Sequence, residues 1–576
     1  MAITAGDRLS LAALALDRGA RRAVSWVRLV AALAVPVRAN DRLVISPQDL
    51  RTADPTVAND IYAGRFAFAG KLVTTAGRSI WEIEGPTRDW TAGLHSFGWL
   101  RHLKAADSAI ARANARALVD DWMQSRRHDR VAYRVDVTSR RVMAYLTQAN
   151  VLLADTDDAG FYRRFTRSLL NETRGLRLRY LMTPPGAQRL GVLVTLATAS
   201  LCFERQPKLR RWVDKRLDLE LGRQILPDGC HVSRNPGIAL QLLLDLLPLR
   251  QAYTARGYPP PAALQPAIDR AMPMLRFFRH GDGSIALFNG MGPTPPDLLA
   301  TLTAYDEARA KPTRALASGG YQRLELGNKV VVMDVGPAPA LPLAAQAGAG
   351  PLSFEFSDGL HRVIVNCGLP ETGRADWGQA TRQTAAHSTV TLDDRSAGHV
   401  LKPGVVSRLL GPLLVSGVRV ATAERRDTAD RQEVSARHDG YRRRFRGLHS
   451  RTLALAHGRL EGLDRLEPVR VGGPLPDVEI VARFHVHPAV KATSVRDGAG
   501  VLLVLPNRDA WLFTAEGVKP EIEESVFLGG LEGPRRSEQI VVRVRSSQRA
   551  EIAWRFTRAE RQAGKPEDGT NAPLLL

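Results

Sequence analysis

The chain has 576 residues, 44% of them apolar, with 80 Lys and Arg against 59 Asp and Glu for a formal charge of +21. That composition excludes a largely disordered or collagen-like chain, and the length suits two to four domains, each with its own core. Cys202, Cys230 and Cys367 form no CxxC pair, which excludes a disulfide-stapled small domain and a structural zinc ribbon. Only ten of the 80 cations are Lys. An arginine excess of this kind reads either as compositional bias or as a surface for carboxylate, sulfate or phosphate, whose geometry the planar guanidinium matches.

In chain order, residues 7–35 read as an amphipathic helix lying over the rest of the molecule. Met1–Leu11 lacks the charged-then-apolar-then-small order of a secretory signal. Ala23–Pro36 is interrupted by Arg28 and falls short of the ~20 residues that a bilayer span requires, so no membrane span is expected. Residues 1–84 are this helix and an irregular lead-in. From 85 to 312 apolar residues recur at helical spacing, as in Leu94-Phe97-Leu100-Leu103 and Phe161-Phe165-Leu169-Leu170. Stop signals such as Thr183-Pro184-Pro185-Gly186 and Pro227-Asp228-Gly229 separate the helices. Residues 160–223 carry fourteen Arg and Lys against five acids, a local +9. From 313 to 556 alternation takes over, for example in Gln322–Val335, Glu479–Val486 and Ala550–Phe556, with Asp358-Gly359 and Asp497-Gly498 at turns. Residues 557–576 read as a disordered tail. The class is α+β multidomain.

Four strings carry candidate chemistry, each with a plain structural alternative. In Trp90–His102, helical spacing puts His95, Trp99 and His102 on one face; Trp99 would stack on a sugar and His102 hold an acidic group, or the string is an aromatic helix seam. Pro227–Pro236 is a polar loop offering His231, Ser233, Arg234 and Asn235, or a cap for the helix after Pro236. Arg382–Asp394 centres on His387, a site histidine or a hydrogen-bonded structural one. His485 and His487 share a strand face, which supplies two metal-ligand positions and no third.

The helices-then-sheet order, with Leu352-Ser353-Phe354-Glu355, Val365-Asn366-Cys367-Gly368, the Arg382–Asp393 string and Asp439-Gly440-Tyr441, resembles the heparinase II/III family. The resemblance covers roughly residues 85–556 and is strongest at Ala385–Thr389. It implies an N-terminal incomplete (α/α) toroid of helical hairpins followed by a large antiparallel β-sandwich, with the site in the cleft between them. It also implies an acidic polysaccharide partner, cleaved by β-elimination, and a place in the cell envelope or periplasm. Because no cleavable signal is evident, the cytoplasm stands open too. Elimination across a uronate needs a group to neutralise its carboxylate, a base for the C5 proton and an acid for the leaving oxygen. The family's Asn or His, Tyr and His positions fall here near Gln188-Arg189, near Ile238 and on Ala347–Pro351, so all are replaced. His387 matches a family histidine associated with a bound divalent metal or with the cleft wall, while the strand position that often supplies a metal-binding Asp is Asn366.

Two readings follow. In one, a lyase uses a rearranged set: Arg189 or Arg234 on the carboxylate, His231 as base, Tyr441 as acid, with Trp99, His102 and Arg382 binding substrate. In the other, the same cleft binds an acidic glycan, or serves the envelope structurally, without turnover. A nucleic-acid partner is not expected: no known module is present and the aromatics are not interleaved with the basic run. The oligomeric state is not legible.

Overall fold

The computed structural model describes residues 4–33, 41–125, 128–154, 158–306, 311–370, 375–470 and 472–559. An N-terminal helix, Ala5–Leu33, precedes a short helix at Thr56–Tyr62 and a hairpin of Arg65–Phe68 with Lys71–Thr74. The hairpin departs from the irregular lead-in expected there. Ala69 and Gly70 both take positive φ (50° and 68°), which gives a two-residue turn whose twist matches the strands it joins.

Helices then fill the chain from Arg88 to Ala304. Their apolar faces converge on one core, and every residue from Val192 to Cys202 of the helix Ala187–Cys202 is buried. A helix that is apolar on all sides must be surrounded, and Val135–Thr147, Pro207–Gln224 and Pro236–Ala255 enclose it. The last of these starts where the sequence punctuates: Asn235 accepts a bond from the Gly237 N–H (2.8 Å), with Pro236 in the first turn. One expectation fails locally. The face shared by His95, Trp99 and His102 does not exist, because the helix breaks between Arg88–His95 and Leu100–Ala106, with Phe97 at φ 56°.

From Ala315 onward the chain is mostly antiparallel strand, forming sheets of eight and nine strands among the described residues. Burial alternates along Arg431–His438 and Gly447–Ala456, as period-two side chains with one wet face require. The sheets meet over an aromatic core: Phe484 and Phe354 of one lie 4.8 and 5.5 Å, centroid to centroid, from Trp554 of the other. Helical hairpins followed by a β-sandwich is the fold class expected.

One charged network lies inside this core. Arg451 and Asp464 are direct cross-strand partners, joined at 2.7 and 2.9 Å, and Asp464 also receives bonds from Trp554 Nε1 and His449 Nε2, each 2.8 Å. Burial alone would raise the Asp464 carboxyl; the Arg451 charge and these bonds override it and hold it well below the usual range. Of the expected tail, Thr557 and Arg558 complete the last strand, Glu551–Arg558, and residues 560–576 lie outside the described residues.

Candidate functional site at the toroid–sandwich seam

Charged side chains fasten the two halves along one stretch of the seam. Arg234, at φ 65° in the loop before Pro236, donates to the carbonyls of Gly319 (2.8 Å), Pro337 (2.8 Å) and Gly320 (3.0 Å) and to the Asp334 carboxylate. Its guanidinium lies 4.7 Å over the Tyr321 ring, whose hydroxyl donates to the Arg234 carbonyl (2.6 Å). Asn289 Nδ2 donates to the other Asp334 oxygen (3.0 Å). Nearby, His280 from the end of the helical half meets Glu355 of the sandwich through Nε2 (3.0 Å) and Ser357 through Nδ1 (2.9 Å), both ion-pair side chains fully buried.

The cleft itself is filled. Residues 337–351, rich in Ala, Gly and Pro, link the strands Lys329–Asp334 and Phe354–Asp358 and wedge between the halves. Leu343 packs onto Gly186, where an added Cβ would meet its Cδ2 at 2.9 Å; Gly186 also holds φ 99°. Asn235 Nδ2 donates to Gln346 Oε1 (3.1 Å). Gly348 and Gly350 lie against the His387 ring so closely that a side chain on either would overlap it. Arg382 donates to the carbonyls of Ala347 (2.8 Å), Ala344 (2.9 Å) and Pro412. Between Arg234, Asp334 and Gly348 lies a crevice of about 20 Å³, room for a water and far less than a sugar ring needs.

The N-terminal helix crosses this seam. On the sandwich side, Leu11 packs with Leu401, Leu410 and Leu413, and with Leu341 of the wedge. Arg18 donates to the Leu409 carbonyl (3.3 Å), and Asp7 accepts from Ser416 and from Arg419 (2.9 Å). Its other neighbours are Ala159–Arg179 and Tyr180–Met182 of the toroid.

The expected site residues do not gather around one space. His231 is buried; Nε2 donates to Gln224 Oε1 (2.9 Å) and Nδ1 accepts from the Ser233 N–H (3.1 Å), so both nitrogens are engaged. Burial draws its pKa down to about 4. Tyr441 lies in the sandwich core and donates to the Val390 carbonyl (2.7 Å). Arg189 turns back onto the Thr183 carbonyl (2.7 Å). Trp99 is buried against Phe97 and donates to the Leu94 carbonyl (2.9 Å), while His102 Nδ1 accepts from the Asp54 N–H (2.9 Å). Arg234, Arg382 and His387 do lie at the seam, bonded as described.

The residues present do not fit the divalent metal that the resemblance implies. Asn366 accepts from the Ser388 N–H (3.0 Å) and leaves Nδ2, a donor, buried without a partner, which suits an acceptor and opposes a cation. Glu355 already accepts from the Asn366 N–H (2.8 Å) besides facing His280. His387 Nδ1 donates to the Gln383 carbonyl (2.8 Å). His485 faces Ser525 Oγ (2.8 Å) and the Ala385 carbonyl (2.9 Å), and His487 packs on Phe527. Among the described residues no three His, Cys, Asp or Glu side chains converge as a ligand set.

Sequence reasoning missed Asp334, His280 and the wedge. No spacing pairs the first two with their partners, which come from distant parts of the chain. Glu355 sat inside the quoted Leu352–Glu355 string without a role.

Comparison with known proteins settles the ancestry of this seam. Residues 308–555 match the family described as Heparinase II/III-like, C-terminal. FtsZ-localized protein C of Caulobacter vibrioides is 33% identical over 534 residues, spanning 89% of this chain and 90% of that protein. The chain belongs to the heparinase II/III-like family. The heparinase III crystal structure superposes with a TM-score of 0.65 at 14% identity, covering 84% of this chain and 80% of that one. A mutant of heparan sulfate lyase HepC from Pedobacter heparinus gives 0.61 at 13%, covering 96% and 89%. At such identities these two establish the heparinase fold, toroid plus β-sandwich, and nothing of its chemistry.

Proposed function

We propose that this chain is a non-cleaving member of the heparinase II/III-like family that docks on an anionic membrane surface through its N-terminal helix and acts there as a scaffold beside FtsZ. The observation that carries this is the helix's outer face. Leu9, Leu16 and Val27 are 73%, 75% and 61% exposed, and with Ala20, Ala23 and Val30 they form one apolar stripe at helical spacing, opposite the seated face of Asp7, Leu11, Arg18 and Ser25. Trp26 is 64% exposed beside it, with Arg8 and Arg28 toward its flanks. Among the described residues no helix is long and apolar enough to cross a membrane. An apolar stripe bordered by arginine is what the boundary between headgroups and acyl chains accepts, with roughly 1 kcal/mol per basic residue near an anionic surface. The filled cleft and the occupied His231, Tyr441 and Arg189 support the absence of turnover. The relative named for its localisation with FtsZ supports the site of action.

Sedimentation with phosphatidylglycerol-containing vesicles tests the docking. The wild type is expected to co-sediment, less so in neutral vesicles, and a Leu16→Asp, Val27→Asp variant to stay in the supernatant with an unchanged melting temperature. Equal recovery of both proteins would remove the reading. A second reading, β-elimination on an acidic uronate polysaccharide, draws on the likeness to heparinase III and HepC. A panel of uronate polymers decides it: rising ultraviolet absorbance from unsaturated ends supports a lyase, and a flat trace removes that reading.

A further inference from the structure

The eight-stranded sheet ends on one side at Ala421–Asp427, whose paired neighbour is Arg431–His438. The strand at the opposite end, Lys491–Val495, lies beside Glu521–Phe527 of the other sheet. Ala421–Asp427 projects further into solvent: Thr422, Ala423, Glu424, Arg426 and Asp427 are all exposed. The direction of its peptide groups follows from the two ends of the pair. The Thr428 N–H donates to the Arg431 carbonyl (2.7 Å) and the Asp439 N–H to the Val420 carbonyl (3.2 Å). Antiparallel pairs alternate between bonded and unbonded positions, so Thr422, Glu424 and Arg426 turn their peptide groups toward the neighbouring strand. Ala421, Ala423, Arg425 and Asp427 turn theirs outward, and no peptide group among the described residues meets them. Such an edge is a template for another strand.

The side chains decide which strand. Glu424 and Arg426 stand on the outer face, two residues apart, and neither has an ion-pair or hydrogen-bond partner within the chain. Arg425, between them, faces inward and is already committed, to Asp427 (2.9 Å) and to the carbonyls of Arg314 (2.9 Å) and Arg323 (2.8 Å). We propose that Ala421–Asp427 is a self-association edge: it pairs antiparallel with the same strand of a second copy, about a two-fold axis at Arg425, and joins two eight-stranded sheets into one. Charge sets the register. With the axis at Arg425, Glu424 of each copy faces Arg426 of the other, and Ala423 faces Asp427. Moving the axis by one residue sets Glu424 against Glu424 or Arg426 against Arg426, and like charges directly opposite destabilise a pair. A contact of this isologous kind closes at two copies. Edge charges of one sign repel other strands; opposite signs two residues apart complement their own reversal. The edge uses neither the exposed stripe of the N-terminal helix nor the seam, so it stands or falls apart from the membrane reading.

The experiment is sedimentation equilibrium of the full chain without lipid, from about 1 to about 100 µM, the range suited to a short polar contact at the weak end of interface sizes. The wild type is expected to pass from monomer to dimer. Glu424→Arg and Arg426→Glu each turn both cross-strand pairs into like charges, and each is expected to weaken the dimer by about tenfold or more. Mixing the two variants should restore association, because one strand then carries two cations and the other two anions. That recovery also shows both variants to be folded. Ala423→Pro removes an outward N–H and is expected to abolish the dimer with an unchanged melting temperature, since an edge strand tolerates proline there. A monomer across the whole range overturns the proposal. So does a dimer that neither the charge variants nor Ala423→Pro weaken, which would place the contact elsewhere on the chain.

Discussion

The seam between toroid and sandwich is built in two ways, and the contrast separates fixed geometry from releasable geometry. At the Arg234–Asp334 and His280–Glu355 stretch, the bonded side chains are buried and their bonds cross from one half to the other. At the N-terminal helix, leucines and backbone carbonyls do the holding, and the ionic contact has one foot in water: Arg419, facing Asp7, is 58% exposed. A buried pair is costly to break because the survivor is stranded without solvent. An apolar latch with a half-wet ion pair lets go at far smaller cost. A heparinase fold that has filled its cleft thus keeps one stretch of the seam rigid and leaves the other able to open.

Removing one partner at the rigid stretch is expected to have the largest effect. Asp334→Ala strands the Arg234 guanidinium and frees the Asn289 amide, so a loss of about 3–5 kcal/mol is expected in urea-denaturation midpoints. A loss under about 1 kcal/mol, the range of a surface pair, would erase the distinction between the two stretches.

Acidification sharpens the same comparison. Burial lowers His231, beside the rigid stretch, to about 4, and His485 to about 3. In the unfolded chain each binds its proton near pH 6.5, so below that value the unfolded state holds more protons than the folded one. Their contribution is therefore intact above about pH 6.5 and is lost as pH falls toward the folded values, by roughly 1.4 kcal/mol per pH unit for each histidine. Burial would raise the Asp7 carboxyl, but bonds from Ser416 and Thr4 and the Arg419 charge bring it below the usual value. Its contribution survives until pH drops past about 3.9, where the unfolded carboxyl protonates. Thermal melts between pH 7 and 4.5 should thus show the histidine slope with the latch still closed, and His231→Gln should flatten that slope by one histidine's share. A melting temperature that does not change over this range would count against the burial of both rings.

The fold was legible because its periods are: 3.6-residue repeats through the helices, alternation through strands such as Arg431–His438, and caps such as Asn235-Pro236 at the joints. The candidate site was legible in position and hardly at all in role. Arg234, Arg382 and His387 were singled out and do lie at the seam, yet polar residue types announce hydrogen-bonding capacity without saying which atoms consume it. His231 looked like a base until Gln224 and Ser233 took both nitrogens, and they come from the preceding helix and the same loop. Trp99 looked like a sugar platform because helical spacing was extended through Phe97, whose left-handed backbone breaks the helix. The wedge carries Ala, Gly and Pro in place of the family's polar string, so it read as loss of chemistry. That its smallness is what lets it pack flat on Gly186 and His387 depends on the partner's surface, which one sequence does not display.

The smallest effect belongs to the latch. Asp7→Asn keeps the shape of the side chain and removes its charge, which weakens the bonds with Ser416 and Arg419 and the 3.6 Å approach of Arg443. Since Arg419 and Arg443 are 58% and 44% exposed, water takes up most of what they lose, and about 0.5–1 kcal/mol is expected. Global melting will scarcely register a change of that size. Local opening will: hydrogen exchange at 401–418 should rise several-fold while the strands around Arg451 keep their protection, because a sub-global opening needs only its own contacts to fail. Were exchange to rise equally in both places, the helix would be part of the global fold, and the latch would be no more releasable than the Arg234 stretch it is contrasted with.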